Sequence, residues 1–455
     1  MAAARNAGEL KASGYRPRRV KDELRQNLLA RLRAGAPLFP GLVGYGDTVV
    51  PQVANALLAR HDLLLLGARG QGKTMLLRQL VELLDDEVPV VAGSDLRDDP
   101  LAPVSDYARR RLAEEGDATP IDWLPRRQRY LEKLATPDVT MADLFGDIDL
   151  MRHVQGRPLA DEGSLHFGLI PRANRGLFCI NELPDLAPKI QVGLFNLLQE
   201  RDVQIRGYPV RFELDVCLVF SANPEDYTSR GRIVTPLKDR IGSVVRTHYP
   251  RSRAEGVAVT DASAWSRRDA VPVAVPGFLK EVIEEVARRA RSHPDVNQQS
   301  GVSARLAIAG RELVVSNAER RAVRLGEPAA VPRVSDLSAL HAGARGKLEL
   351  LLADEGQEDR LVEELLRESI RAVFADHADL ATLRPVREWF QAGGRVTVGD
   401  DVPDAEVVRQ IAGTPIEPRA LALGSPAELA SAAEFLLEGL HLAGQIGKHE
   451  GVFRT

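Results

Sequence analysis

The 455-residue chain has little cysteine, few aromatic residues and almost no net charge. Its two cysteines, Cys179 and Cys217, lie inside apolar runs, which is typical of small buried side chains and leaves no disulfide framework or zinc site. The 60 Lys and Arg residues nearly balance 64 Asp and Glu, so nucleic acid is not the expected partner. No segment approaches the about 18 apolar residues of a membrane-spanning helix, and residues 1–14 lack the apolar core of a secretion signal. We therefore expect a cytoplasmic protein that does not enter a membrane.

Short apolar runs alternate with helical stretches in the first half of the chain. Strands are predicted at residues 62–66, 88–92, 177–180 and 216–222, and helices at 74–84 and 190–200. This alternation predicts an α/β fold, in which helices cover a parallel sheet. From residue 277 onward helical patterns dominate, and residues 22–32 predict one helix within a basic N-terminal segment.

A phosphate-binding loop is predicted directly after the first strand. Residues 67–74 read GARGQGKT, which fits G-x-x-x-x-G-K-[ST] between an apolar strand and a helix. Glycines allow the backbone amides of such a loop to point at phosphate oxygens, and the helix N-terminus adds a positive charge. Three glycines would therefore bind nucleotide, together with Lys73 at the β- and γ-phosphates and Thr74 at Mg²⁺; they are Gly67, Gly70 and Gly72.

The strand at 176–181 ends in an amide and a carboxylate. Hydrolysis of a phosphoanhydride needs a base for the attacking water, and Glu182 is placed for that role. An aspartate that helps to hold Mg²⁺ is expected just before this base, but the residue there is Asn181. An amide can contact a water bound to the metal without bringing charge to the ion. We therefore predict that ATP and Mg²⁺ bind and that turnover is slower than in a protein with the aspartate.

Two further polar residues are candidates for catalysis. Asn223 follows the strand at 216–222, where its amide can orient the attacking water. Arg240 follows a predicted helical turn, where it is suited to reach the nucleotide of a neighbouring subunit as an arginine finger. The alternative for Arg240 is a surface ion pair with Asp239 or Glu225.

The order of these motifs resembles that of AAA+ ATPases, and in particular the group that contains the magnesium-chelatase I subunit and the MoxR ATPases. Residues 139–150 and 168–177 are similar to the chelatase pattern in which a β-hairpin interrupts the second helix, and residues 203–212 imply a second hairpin. The charged stretch 98–129 resembles the chelatase insertion. The segment 300–306 is similar to the family's sensor 2 segment, so the resemblance assigns phosphate sensing to Arg305.

The resemblance implies the domain layout of a P-loop AAA+ core with an α-helical lid. We expect a basic N-terminal arm at residues 1–36, the nucleotide-binding core with its hairpin insertions at 37–249, and a linker at 250–276. The lid is expected at 277–350, and a mostly helical C-terminal extension of unassigned role at 351–455.

The leading functional prediction is a magnesium-chelatase-I-like ATPase that remodels a partner protein. The resemblance implies a homo-oligomeric ring, a hexamer, and a partner that is a chelatase subunit or carries a von Willebrand A domain. A transcriptional activator would use a loop rich in Gly, Phe and Thr, which residues 153–169 lack. A DNA-translocating motor would use basic hairpins, for which Arg206 and Arg211 are the only support.

Overall fold

The computed structural model describes residues 4–148, 165–205, 211–224, 233–298, 301–351, 356–421 and 424–454. It divides into two compact units, the first formed by Met1–Ala68 and Gly72–His248 and the second by Arg69–Gln71 and Tyr249–Thr455. In the described part of the chain, no helix combines the length and the apolar character that crossing a membrane requires.

The first unit contains nine α-helices and eleven strands among its described residues. In chain order they are α1 (Ala7–Ala12), α2 (Val20–Arg33), α3 (Val49–Leu58), β1 (Leu63–Leu66), α4 (Lys73–Gln79), β2 (Glu87–Val91), α5 (Asp106–Glu115), β3 (Ile121–Pro125), β4 (Tyr130–Leu134), α6 (Met141–Leu144), β5 (Gly146–Ile148), β6 (Leu165–Phe167), α7 (Leu169–Arg172), β7 (Gly176–Asn181), α8 (Pro188–Gln199), β8 (Asp202–Gln204), β9 (Arg211–Glu213), β10 (Val216–Ala222), α9 (Thr235–Arg240) and β11 (Ser243–Arg246).

A five-stranded parallel sheet forms the centre of this unit. Its strand order is β11-β1-β10-β7-β4, which is 5-1-4-3-2 when the five strands are numbered along the chain. Alternate residues of β1 face different cores: Leu64 belongs to the cluster that includes α8, whereas Leu63 and Leu65 belong to the cluster with α2, α3 and α4. The sheet is therefore buried on both faces, as parallel sheets require. The predicted α/β fold is confirmed.

One of the predicted strands lies outside this sheet. β2, predicted at 88–92 as a member of the parallel sheet, instead pairs antiparallel with β3 in a separate two-stranded ribbon. Pro89 lies within β2, and a proline lacks the N–H that an interior strand must donate. One edge of the parallel sheet is formed by β11 and the other by β4, which lies in a stretch without a strong apolar pattern.

Both predicted hairpins have paired strands in the structure. β5 pairs antiparallel with β6, and β8 pairs antiparallel with β9. The ring of Phe167 packs edge-on against that of Phe212 at 5.4 Å, so the two hairpins share an aromatic contact. The residues between the paired strands, including Arg206, lie outside the described ranges, and nothing is described of the Arg211 side chain.

The basic N-terminal segment packs onto the first unit. Leu24 and Leu28 of α2 are 1% and 0% exposed in the core that also contains β1. The carboxylate of Glu23 forms a buried bidentate ion pair with Arg129, at 2.6 and 2.7 Å. Residues 20–33 are therefore an integral helix of this unit.

The second unit is mostly helical. In chain order its elements are α10 (Arg253–Ser263), α11 (Gly277–Ala290), α12 (Arg305–Leu325), α13 (Leu340–Ala344), α14 (Gln357–His377), α15 (Arg384–Gln391), β12 (Val396–Thr397), α16 (Asp404–Ile411), α17 (Pro426–Leu442), β13 (Gly447–His449) and β14 (Val452–Arg454). The three strands form a small antiparallel sheet in the order β12-β14-β13. The stretch 250–276, expected as a linker, contains helix α10.

One hydrophobic core joins the stretches 277–350 and 351–455. It runs from Phe278 to Phe453, and the rings of Phe278 in α11 and Phe435 in α17 stack at 4.5 Å. The helices expected as a lid and those expected as an extension therefore fold around the same apolar interior.

Candidate functional site

The predicted phosphate loop follows the buried strand β1 and leads directly into α4. Gly70 and Gly72 have φ angles of +73° and +71°, in the left-handed region that side chains with a Cβ rarely adopt. Gly72 is also the N-cap of α4, so the loop turns sharply into the helix. Backbone amides at such a helix N-terminus favour an anion.

Lys73, the first residue of α4, is only 6% exposed. Its ammonium group donates to the carbonyl oxygens of Gly67 and Ala68, the latter at 3.0 Å, and to Oδ1 of Asn223 at 2.8 Å. A buried ammonium must be hydrogen-bonded to be tolerated, and these acceptors hold it at the helix N-terminus. Thr74 is the second residue of the same helix. A buried cation beside helix amides is a donor set that fits a polyphosphate.

The predicted base, Glu182, and Asn223 lie at the ends of two neighbouring strands, close to Lys73. β7 and β10 are parallel and adjacent, so Glu182 after β7 and Asn223 after β10 meet at the carboxyl edge of the sheet. Nδ2 of Asn223 donates to Oε2 of Glu182 at 2.6 Å. Asn223 thus joins Lys73 to Glu182 in one continuous chain of hydrogen bonds. Three residues predicted from separate stretches of sequence are brought together here.

Glu182 has an unusual backbone conformation. Its φ of 56° and ψ of 49° are left-handed, although it is not a glycine, and such residues carry strain that neighbouring contacts must offset. It caps the short helical turn 183–185, in which the Asp185 amide donates to the Glu182 carbonyl at 3.0 Å. The turn directs the carboxylate toward Asn223.

Asn181 makes a contact that the sequence did not suggest. Its Oδ1 accepts a hydrogen bond from the hydroxyl of Ser221 at 3.1 Å, and the same hydroxyl accepts one from the Glu182 amide at 3.2 Å. Ser221 was missed by sequence reasoning. The available signal was a single serine within an otherwise apolar strand, two residues before Asn223.

Arg240 ends α9 and contacts α8. Its guanidinium donates to Oε1 of Gln199 at 3.1 Å and to the Pro236 carbonyl at 2.9 Å, and it lies 4.9 Å above the Phe195 ring. Within the described ranges, no ion pair of Arg240 is present; Glu225, one of the two alternative partners, lies outside them. Its role as an arginine finger stays a prediction.

The second unit contains Arg305, the predicted phosphate-sensing arginine. It is the first residue of α12 and is exposed. Its role is a prediction, as is that of Thr74 toward Mg²⁺.

The cysteines do not contribute a reactive thiol. Both are buried, and burial raises the pKa of the Cys179 and Cys217 thiols to about 12, so both stay protonated at neutral pH. In the part of the chain that the structure covers, no group of three or more His, Cys, Asp or Glu side chains could hold a metal ion. A magnesium ion here would need oxygen ligands from the nucleotide as well as from the protein.

Sequence comparisons match one family model and several curated relatives. A family model described as the sigma-54 interaction domain matches residues 152–244. The magnesium-chelatase subunit ChlI of Nostoc is 28% identical over 233 residues, which cover 49% of this chain and 57% of that protein. The ChlI subunit of Anabaena variabilis is 30% identical over 207 residues, covering 44% of this chain and 56% of that protein. The chain thus spans little more than half the length of these relatives.

Solved structures include similar chains at low identity. A complex of the BchI and BchD subunits of magnesium chelatase contains a chain that is 22% identical, with a TM-score of 0.37, covering 72% of this chain and 98% of that one. NtrX from Brucella abortus is 14% identical, with a TM-score of 0.40, covering 80% of this chain and 69% of that one.

The phosphate loop, the carboxylate after β7 and the asparagine after β10 occur in the order seen in the sequence resemblance, and the curated relatives carry the same family name. Over about half of its length, the chain is thus similar to magnesium-chelatase subunit I.

Proposed function

We propose that the chain binds ATP with Mg²⁺ and hydrolyses the ATP to ADP and phosphate. The observation that carries this proposal is the hydrogen-bonded chain from Lys73 through Asn223 to Glu182. It places a buried cation, a neutral amide and a carboxylate together at the end of a parallel sheet, where α/β proteins bind their ligands. The similarity to magnesium-chelatase subunits supports the same conclusion.

Each of the three hydrogen-bonded residues, Lys73, Asn223 and Glu182, has a distinct task in hydrolysis. Lys73 holds the β- and γ-phosphates, and its positive charge favours the negative charge that develops there. Glu182 accepts a proton from the attacking water. Asn223 orients that water through its side-chain amide, which in the structure contacts Lys73 and Glu182. Mg²⁺, when bound with the Thr74 hydroxyl as one ligand, neutralises charge on the phosphates. Asn181 adds no charge to the ion, so we expect slow turnover.

We further propose that catalysis takes place in a homo-oligomeric ring that remodels a partner protein. Arg240 contacts α8 rather than the phosphate loop, which suits an arginine that completes the site of an adjacent subunit. The magnesium-chelatase relatives are, by name, subunits of a larger assembly, which supports a partner of the chelatase type. A partner with a von Willebrand A domain is the alternative that the sequence resemblance implies. Specific ATPase activity should then rise with protein concentration.

A mixing experiment tests the ring and the hydrolysis together. Arg240→Ala leaves Lys73 intact, and Lys73→Ala leaves Arg240 intact, so each variant alone should release phosphate at less than about a tenth of the wild-type rate. Mixed rings contain some sites in which an intact Lys73 faces an intact Arg240 of the adjacent subunit. We therefore expect phosphate release to recover in the mixture. No recovery, with mixed assemblies confirmed by mass measurement, would contradict the role of Arg240 between subunits.

A second candidate is an AAA+ transcriptional activator. The match of residues 152–244 to the sigma-54 interaction domain favours it. The loop rich in Gly, Phe and Thr that such an activator uses has no counterpart in residues 153–169. A DNA-translocating motor has less support, since it rests on Arg206 and Arg211 alone. Binding to DNA that weakens steeply with salt would favour the motor over the remodelling ATPase.

A further inference from the structure

Ser221 is a buried polar residue near the carboxyl end of β10, beside the residues proposed to hydrolyse ATP. It lies in β10 between Phe220 and Ala222, and it is 1% exposed. A serine hydroxyl in such a place must find partners for both its hydrogen and its oxygen. Both partners lie on the neighbouring strand: they are Asn181, which ends β7, and Glu182, which follows it.

The position of Ser221 explains why a side chain is needed there. The backbone pairing of β7 with β10 runs to Ile180, which is opposite Phe220, and stops at that point. The next backbone donor on the β7 side is the amide of Glu182, which has turned into the left-handed conformation. The Ser221 oxygen accepts from this amide at 3.2 Å. A hydroxyl therefore takes the place of a backbone acceptor where the strand pairing ends.

The hydrogen of the same hydroxyl is donated to Asn181, the residue before Glu182. Ser221 Oγ donates to Oδ1 of Asn181 at 3.1 Å, while the Asn181 backbone carbonyl accepts from the Ala135 amide at 2.8 Å. Both the side chain and the backbone of Asn181 are thus fixed. The residue before the base and the amide of the base itself are held by one buried hydroxyl.

We propose that Ser221 is a positioning residue for ATP hydrolysis, which holds Glu182 in its left-handed conformation with its carboxylate on Asn223. This rests on the proposed function, in which Glu182 is the base. Ser221 touches neither the phosphates nor the attacking water in this role, because it acts through the backbone of Glu182. Its loss should therefore reduce the chemical step and leave nucleotide affinity unchanged.

The kinetic test compares Ser221→Ala with Ser221→Thr in the full chain. We expect Ser221→Ala to lower kcat by about tenfold, equivalent to about 1.4 kcal/mol, with the ATP dissociation constant within about twofold of wild type. Ser221→Thr keeps the hydroxyl and should retain kcat within about threefold. The control is Ser431→Ala, which also removes a buried serine hydrogen bond, to the Pro332 carbonyl, and should leave kcat unchanged.

A double variant separates positioning from general destabilisation. If Ser221 acts through Glu182, then Ser221→Ala should cause no further loss of residual turnover in a Glu182→Gln background. A wild-type kcat in Ser221→Ala would overturn the proposal. So would an equal loss in both backgrounds, or a Ser221→Thr variant that is no more active than Ser221→Ala.

Hydrogen exchange supplies a readout that does not depend on turnover. Amide exchange in the peptide 180–186 should be faster in Ser221→Ala than in wild type and should not change in Ser221→Thr. If wild-type protein binds no ATP, the proposed function fails, and the exchange rates still decide whether Ser221 holds Glu182. Unchanged exchange in Ser221→Ala would overturn the positioning role even in an active ATPase.

Discussion

At the scale of single residues, Asn181 is the position where this chain departs from the pattern expected of an ATPase. Its Oδ1 is already occupied as the acceptor of the Ser221 hydroxyl. A carboxylate at this position could accept the same hydrogen bond with one oxygen and leave the other for a water bound to Mg²⁺. The asparagine therefore satisfies the structure of the site but supplies no charge to the metal.

This geometry predicts the outcome of Asn181→Asp. We expect turnover that is unchanged or up to about tenfold higher, because the added charge favours Mg²⁺ and the contact with Ser221 is kept. Steady-state phosphate release at saturating ATP measures the effect. Loss of activity in a variant that stays folded by circular dichroism would contradict the metal geometry.

The meeting of Lys73, Glu182 and Asn223 was predictable because the sequence signals of these residues are local. Lys73 lies in a fixed motif between a strand and a helix, and Glu182 and Asn223 each follow an apolar run at the point where a strand ends. Parallel strands place those ends at the same edge, so the meeting of the residues followed from the fold class. Ser221 was not predictable in this way, since one serine in an apolar strand reads as a small filler until its two partners are known.

At the scale of elements, buried charges tie the C-terminal helices to the helices before them. Arg321 in α12 and Arg333 are 2% and 0% exposed, and both contact Asp404 at the start of α16, at 3.3 and 2.6 Å. Glu434 in α17 accepts from the Ser335 amide at 2.7 Å. These contacts join residues on the two sides of position 350, near which the sequence suggested a change of domain. Neither composition nor periodicity signals a buried network of this kind.

Asp404 gives this network a dependence on pH. Burial raises its pKa from 3.8 to about 6 despite Arg333 and Arg321, with Glu327 adding to the rise. The folded state therefore holds this proton more tightly than the unfolded state does, so the group's contribution to stability is complete below about pH 4 and is lost as pH rises toward 6. The stability of wild type relative to Asp404→Asn should fall over this range and be constant above it.

Thermal unfolding at a series of pH values measures this difference. Asp401→Asn is the matched control, since Asp401 is an exposed carboxylate three residues away that pairs with Arg324. The control should follow the wild-type profile. A wild-type advantage over Asp404→Asn that grows between pH 4 and 6 would contradict the raised pKa.

At the scale of the whole molecule, the class of fold was easier to predict than the pairing of its strands. Alternating apolar and helical stretches predicted a covered parallel sheet, and the structure has one. The pattern could not tell β4 from β2 as the edge strand, because β2 is the more apolar of the two and yet pairs with β3. Strand pairing depends on contacts between distant residues, which local composition does not record.

The central claim is that Lys73, Asn223 and Glu182 form an ATP site, and calorimetric titration of the full chain with Mg·ATP tests it most directly. Lys73→Ala should weaken binding by at least about 100-fold, since it removes the buried cation at the phosphates. Glu182→Gln should bind ATP as wild type does and hydrolyse the bound ATP only at a low residual rate. Lys347→Ala is the control, because Lys347 also donates to a backbone carbonyl at a helix end, that of Gly343, and should not change the affinity. Unchanged ATP affinity in Lys73→Ala would contradict the assignment of the phosphate loop and the account that rests on it.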